Sequence, residues 1–140
     1  MMRRVLMSRA KRGQALVEFA LIAPLLMILL LFMIQYGLIM NTHVTITHMA
    51  REGARYGAVH AATNAPIAAY IQAIRSPNIR TSDLTVAISP AEGAAARTVG
   101  NAITVSLTYN MSRNMFMPAR FLGVPLPGTS VRATASMYIE

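Results

Sequence analysis

The chain has no cysteine among its 140 residues. No disulfide can staple it and no thiolate can hold a metal, so any fold must rest on packing alone. Acids are scarce too: Glu18, Glu52, Asp83, Glu92 and Glu140 are all there are. None forms a local pair able to divide general-acid and general-base roles. The sequence also lacks H-E-x-x-H, G-x-S-x-G and a phosphate-cradling glycine loop. His43 and His48 stand five positions apart; at about 100° per residue they point to different faces of a helix. An enzyme is therefore not expected, nor is a cofactor, a metal or a small-molecule substrate.

Charge is missing altogether from Phe19 to Met40, where only Pro24, Gln35, Tyr36 and Gly37 interrupt the aliphatic run. About 22 helical residues reach roughly 33 Å, enough to cross a bilayer core. The 54% apolar content is concentrated in this run. Before it, Arg3, Arg4, Arg9, Lys11 and Arg12 stand with no acid among them, and the first cation after it is Arg51. Basic residues stay on the cytoplasmic side, so the N-terminus is expected inside and the remainder exported. Most of the net charge of +8 is then a topology signal. Nucleic-acid binding is not expected, because the basic run abuts the span and lacks interleaved aromatics. An ordinary signal peptide has an apolar core of about 7–15 residues and a small-residue cleavage site after it. Here the run is longer, and "MNTHVTI" (Met40–Ile46) offers no such site.

The other end of the span reads "KRGQALVEFALIAP", residues 11–24. Glu18 places a carboxylate at the edge of the apolar run, which costs less than the several kcal/mol expected at a bilayer centre, yet still opposes insertion. A cut after Gly13 would make Gln14 the first residue and Glu18 the fifth, one turn apart on one helix face. The new α-amino group would then be a partner for Glu18, within the chain or from a neighbouring helix. A buried polar pair of this kind sets registry in a helix assembly. Alternatively Glu18 only snorkels to the headgroups beside the basic leader. The residues leave both open.

"KRGQALVEFALIAPLLMILL" (Lys11–Leu30) and "AREGARYGAV" (Ala50–Val59) resemble the TadE-like family of tight-adherence (Flp-type) pilus pseudopilins. The resemblance covers Arg12–Val59; beyond it extends only to a general pattern of a short helix and three strands. It implies a prepilin-peptidase site with Gly13 before the cut, Gln14 after it, Glu18 as fifth mature residue and the aromatic Phe19 following. The implied partners are the bacterial inner membrane, a membrane aspartyl prepilin peptidase acting on the cytoplasmic side, other pilin-like subunits and pilus assembly platform proteins. The major fibre subunits of such systems are much shorter and lack a sizeable exported domain, so this chain is expected to be a minor, pilin-like subunit. The alternative is an unprocessed single-pass scaffold of the assembly machine.

The expected organisation is a basic cytoplasmic leader (1–13), a transmembrane helix (14–42) and an extracytoplasmic head (43–140). The helix is expected to continue beyond the membrane, since Ile46, Met49, Ala50, Gly53, Tyr56 and Gly57 follow i, i+3, i+4, i+7 spacing. Gly53 and Gly57 belong to a row of small residues with Ala50, Ala54, Ala58 and Ala61, suited to close packing against the head's own sheet. Each glycine lowers helix stability by about 1 kcal/mol, which packing must offset. Pro24 predicts a kink or local unwinding near Phe19–Ala23, a soft point for extraction into a fibre.

The fold class expected is α+β: a pilin-like long N-terminal transmembrane helix extending into a small head with a short helix and a three-stranded antiparallel sheet. Ile67, Tyr70, Ile71 and Ile74 make the stripe of the short helix, between Pro66 and Ser76-Pro77. Leu84, Val86 and Ile88 share one strand face, as do Ile103, Val105, Leu107 and Tyr109. The last run places Val131, Ala133, Ala135, Met137 and Ile139 together, opposite Arg132, Thr134, Ser136 and Tyr138. The loop after Asn110 is unusually apolar, with Met111, Met115, Phe116, Met117, Phe121 and Leu122. Core completion is its first expected role; a partner contact and thioether binding of a soft metal are the others.

Overall fold

The computed structural model describes the backbone of residues 2–60, 63–115, 120–121, 124–125 and 129–140, and their side chains except those of 2–12, 120–121 and 124–125. The chain divides into two compact units, Met1–Tyr36 and Gly37–Glu140. Helix α1, Met2–Val59, contributes to both.

The first unit is helical from Met2 onward, earlier than the start expected at Gln14. The leader is built largely of Arg, Lys, Leu, Met and Ala, all good helix formers, and a lone glycine at position 13 does not outweigh them. α1 also runs unbroken through Pro24, so the local unwinding expected over Phe19–Ala23 is not there. Proline gives up the hydrogen bond to the Ala20 carbonyl and its ring crowds that oxygen, but its fixed φ is itself helical. The stretch Gly13–Val59 carries an apolar window of mean hydropathy 2.7, none of it buried. This is the one helix among the described residues long and apolar enough to cross a membrane.

In the second unit α1 crosses the polar run 41–48 without a break. The hydroxyls of Thr42, Thr45 and Thr47 donate to the carbonyls of Leu38, Asn41 and His43 at 2.9, 2.9 and 2.7 Å. Each β-branched hydroxyl is thereby satisfied within the helix. Helix α2 follows at Asn64–Ala73. Its cap residue, Thr63, makes no side-chain capping bond. Instead the Asn64 N–H donates to Glu92 Oε2 at 3.0 Å, and Arg97 Nη1 donates to Asn64 Oδ1 at 2.8 Å. A carboxylate from a distant loop thus takes the place of a local cap at the positive end of the helix.

A single 3-10 turn at Thr81–Asp83 leads into strands β1 (Leu84–Ser89) and β2 (Ala102–Asn110). Between them Gly93 and Gly100 adopt φ of 78° and 88°, left-handed values that a side chain disfavours. Strands β3 (Arg120–Phe121) and β4 (Val124–Pro125) form a two-stranded pair within the apolar loop, and β5 spans Ser130–Tyr138. β1, β2 and β5 make an antiparallel sheet with β2 in the centre, in a register that sets Val86 opposite Leu107 and Leu107 opposite Ala133. The expected α+β arrangement is therefore the observed one, with the β3–β4 pair added.

One face of the sheet packs on α1 and α2. Ile46, Met49, Ala50, Ala54 and Ala58 from α1, Ile67 and Ile71 from α2, and Ile103, Val105, Leu107 and Tyr109 from β2 are all buried. Each large aliphatic side chain so buried stabilises the unit by about 1.5–3 kcal/mol relative to exposure. Several expected core positions are less covered than their patterns imply: Tyr70, Ile74, Val86, Ile88 and Ala135 are half-buried. Tyr56 is only half-buried, because it lies at the edge of the stripe that Ala54 and Ala58 centre. Met137 is 42% exposed, while Ile139, beyond the strand, is buried. Met137 lies on the edge strand β5, beside the fully buried Ile103 of the central strand β2, so cover is lost across the sheet rather than at its end. In the apolar loop Met111 is buried and Met115 packs against the core, as core completion requires. Ala61, Phe116, Met117, Leu122 and the side chain of Phe121 lie outside the described residues.

Candidate functional site

The residues singled out at the start of the span sit on α1. Gly13, Gln14, Glu18 and Phe19 are all exposed. Gln14 Nε2 donates to Glu18 Oε1 at 3.2 Å, so the side chain of residue 14 already stands one turn from the carboxylate. Phe19 is 68% exposed, with no core of its own unit to cover it. Pro24 is exposed as well.

Gly13 has no local explanation. A Cβ built there meets nothing within 4 Å, and its φ is not left-handed. Alanine in its place would gain about 1 kcal/mol of helix propensity. Among the described residues nothing asks for glycine at this position.

Gly53 and Gly57 differ sharply from Gly13. A Cβ at Gly53 would lie 2.8 Å from both Cγ1 and Cδ1 of Ile71 and 3.5 Å from Cγ1 of Val105. At Gly57 the neighbours would be Cδ1 of Ile103 at 3.1 Å and Cδ1 of Ile67 at 3.2 Å. Both glycines therefore let α1 approach α2 and β2 together. The sequence pointed only to the sheet; the α2 contact is the closer one at Gly53. Opposite this face Arg55 pairs with Glu52 at 3.0 Å, an exposed surface bond.

Two features were not foreseen. Tyr56 stacks on His60 with ring centroids 4.1 Å apart, and on Tyr70 at 4.4 Å, both nearly parallel. The i, i+4 spacing of Tyr56 and His60 was the available signal; Tyr70 comes from α2 and had none. A polar cleft lined by Asn41, Asn78, Arg80 and Asn114 is the second, and its members are too far apart in sequence to be grouped by pattern. Among the described residues no group of three His, Asp or Glu side chains is placed to hold a metal.

Residues 13–55 match the family model of TadE-like proteins. The match starts at Gly13 and ends within the glycine face of α1, so it takes in the span and the approach to α2 but not the sheet. No curated protein and no solved structure matches the chain.

Proposed function

We propose that this chain is a minor pilin-like subunit that takes part in assembling a tight-adherence type IV pilus. In this reading α1 anchors it in the inner membrane with the N-terminus cytoplasmic. A prepilin peptidase cuts between Gly13 and Gln14, and the released α-amino group of Gln14 pairs with Glu18, in the same chain or a neighbouring subunit. Phe19, Pro24 and the apolar face around them then meet the helices of other pilin-like subunits, while the head, from about residue 43 onward, is exported.

The observation that carries this reading is Gly13. It is the residue at which the family match begins, and no neighbour within 4 Å and no backbone constraint explains it. A peptidase that needs a small residue before the cut does. The exposed carboxylate of Glu18, with only a weak side-chain partner in Gln14, supports the pairing in the cut chain. A two-part genetic test follows. Deleting the chain abolishes piliation in its host; wild-type complementation restores it and Gly13→Leu does not. Normal pili in the deletion strain would remove the assembly role.

A second reading, an unprocessed single-pass scaffold of the assembly machine, draws on one observation. α1 is continuous through Gly13, whereas a peptidase must open the helix at its cleavage point. In that case Gly13→Leu complements as well as wild type.

A further inference from the structure

A cleft of about 380 Å³ opens between α1 and two turns of the second unit, and the sequence gives no hint of it. Leu38 and Met111 supply apolar lining, and Asn41, Asn78, Arg80 and Asn114 the polar part. No carboxylate among the described residues lines it. Among the described residues the Arg80 guanidinium and the Asn78 amide have no hydrogen-bond or ion-pair partner. They flank Ile79, which is buried at 1% exposure and whose N–H donates to the Ser76 carbonyl at 2.9 Å. The Ile79 carbonyl in turn accepts from Arg75 Nη1. One turn, anchored at its centre, thus presents a free guanidinium and a free amide to one cavity. Asn114 is also fixed: its Nδ2 donates to the Tyr109 hydroxyl at 3.0 Å, and its Oδ1 has no partner among the described residues.

The chemistry of this lining selects for an anion with several acceptor oxygens. A guanidinium matches phosphate oxygens with a planar fork of donors, and the amides of Asn41 and Asn78 add neutral donors. The apolar wall tolerates a glycerol or methylene group beside the anion. Leu38 and Asn41 bracket Met40, the last residue of the charge-free run. When that run lies in the hydrocarbon core, residues just past it stand at the depth of the phosphates.

We infer that this cleft binds the phosphodiester of a membrane phospholipid, with Arg80 as its principal anchor. The inference rests on the span being in the bilayer and is independent of the assembly role. A bound headgroup ties the second unit to the membrane surface until the lipid is exchanged.

The test uses the full chain, purified in detergent, stripped of lipid and titrated with phosphatidylglycerol under native mass spectrometry. Wild type retains one lipid molecule, and Arg80→Gln weakens retention about tenfold, as loss of a charge-assisted hydrogen bond requires. Asn78→Ala weakens it less. Circular dichroism stays unchanged in both, since the two side chains lie outside the core. Inorganic phosphate and glycerol 3-phosphate at millimolar concentration leave the lipid in place if the membrane is the source; displacement by either would make the site one for free phosphate and overturn the lipid assignment. Equal lipid retention by wild type, Arg80→Gln and Asn78→Ala would overturn the cleft itself. A chain that stays in solution without detergent would remove the span, and the inference with it.

Discussion

Gly53 on α1 and Ile71 on α2 approach so closely that a Cβ on the glycine would stand 2.8 Å from two carbons of the isoleucine. Ile71 is fully buried and β-branched, so it has little freedom to turn aside. Gly57, by contrast, faces neighbours at 3.1 and 3.2 Å, both of them terminal Cδ1 methyls.

Alanine at these two positions therefore gives different results. Gly53→Ala gains about 1 kcal/mol of helix propensity and loses about 1–3 kcal/mol to overpacking. The expected net is destabilisation by about 1 kcal/mol, read as faster amide exchange across β2 in the full chain. Gly57→Ala is expected to be neutral within about 0.5 kcal/mol, because a shift of a few tenths of an ångström is open to the methyls. Equal protection in both variants would show that the close approach at Gly53 carries no energy.

Tyr109 gives a second handle on the same core. Its ring is fully buried and its hydroxyl accepts from Asn114 at 3.0 Å. Tyr109→Phe keeps the packing and strands the Asn114 amide, a loss of about 1 kcal/mol. Because Asn114 also lines the cleft, the same variant is expected to loosen lipid retention. Unchanged stability would mean that water replaces the bond without loss.

Strand patterning was legible where period-2 alternation met a continuous cover. Ile103, Val105, Leu107 and Tyr109 are all buried as expected, since β2 is central and both helices lie over it. The same rule failed at Met137, because alternation reports which face a residue occupies and not whether its strand is central or, like β5, at the edge of the sheet. β3 and β4 carry two residues each, too short for any period, and a proline such as Pro125 is uncommon within a strand. The helical leader was missed because charge pattern, rather than helix propensity, drew the boundary at Gly13. At the candidate site the glycines were legible, while their purposes were not. The i, i+4 spacing of Gly53 and Gly57 marks a close-packing face, but α2 comes from elsewhere in the chain, and Gly13 has no partner among the described residues to reveal.

Met137 supplies a direct check on that account. Met137→Thr, at a position 42% exposed on a strand, is expected to change stability by less than about 0.5 kcal/mol. A loss of 2 kcal/mol or more, of the size typical of truncating a buried methionine, would mean that a partner or the loop covers it after all. Chemical denaturation of the full chain in detergent reads either outcome.

Glu18 separates registry from snorkelling. Glu18→Ala removes a charge at the membrane edge, so insertion is expected to be unimpaired or improved. Among the described residues its partner is the exposed Gln14 amide, a bond of a few tenths of a kcal/mol, so the fold is expected to hold. Pilus assembly is expected to fail. Piliation at wild-type level in Glu18→Ala would assign the carboxylate to the interface alone.

The claim on which the account turns is the cut between Gly13 and Gln14. Its most direct measurement is the intact mass and N-terminal sequence of the chain purified from membranes that contain the native peptidase. The expected chain begins at Gln14, and at Met1 or Met2 when Gly13 is replaced by leucine. A wild-type chain that keeps its leader would contradict the pilin-like route and leave a permanently anchored scaffold in its place.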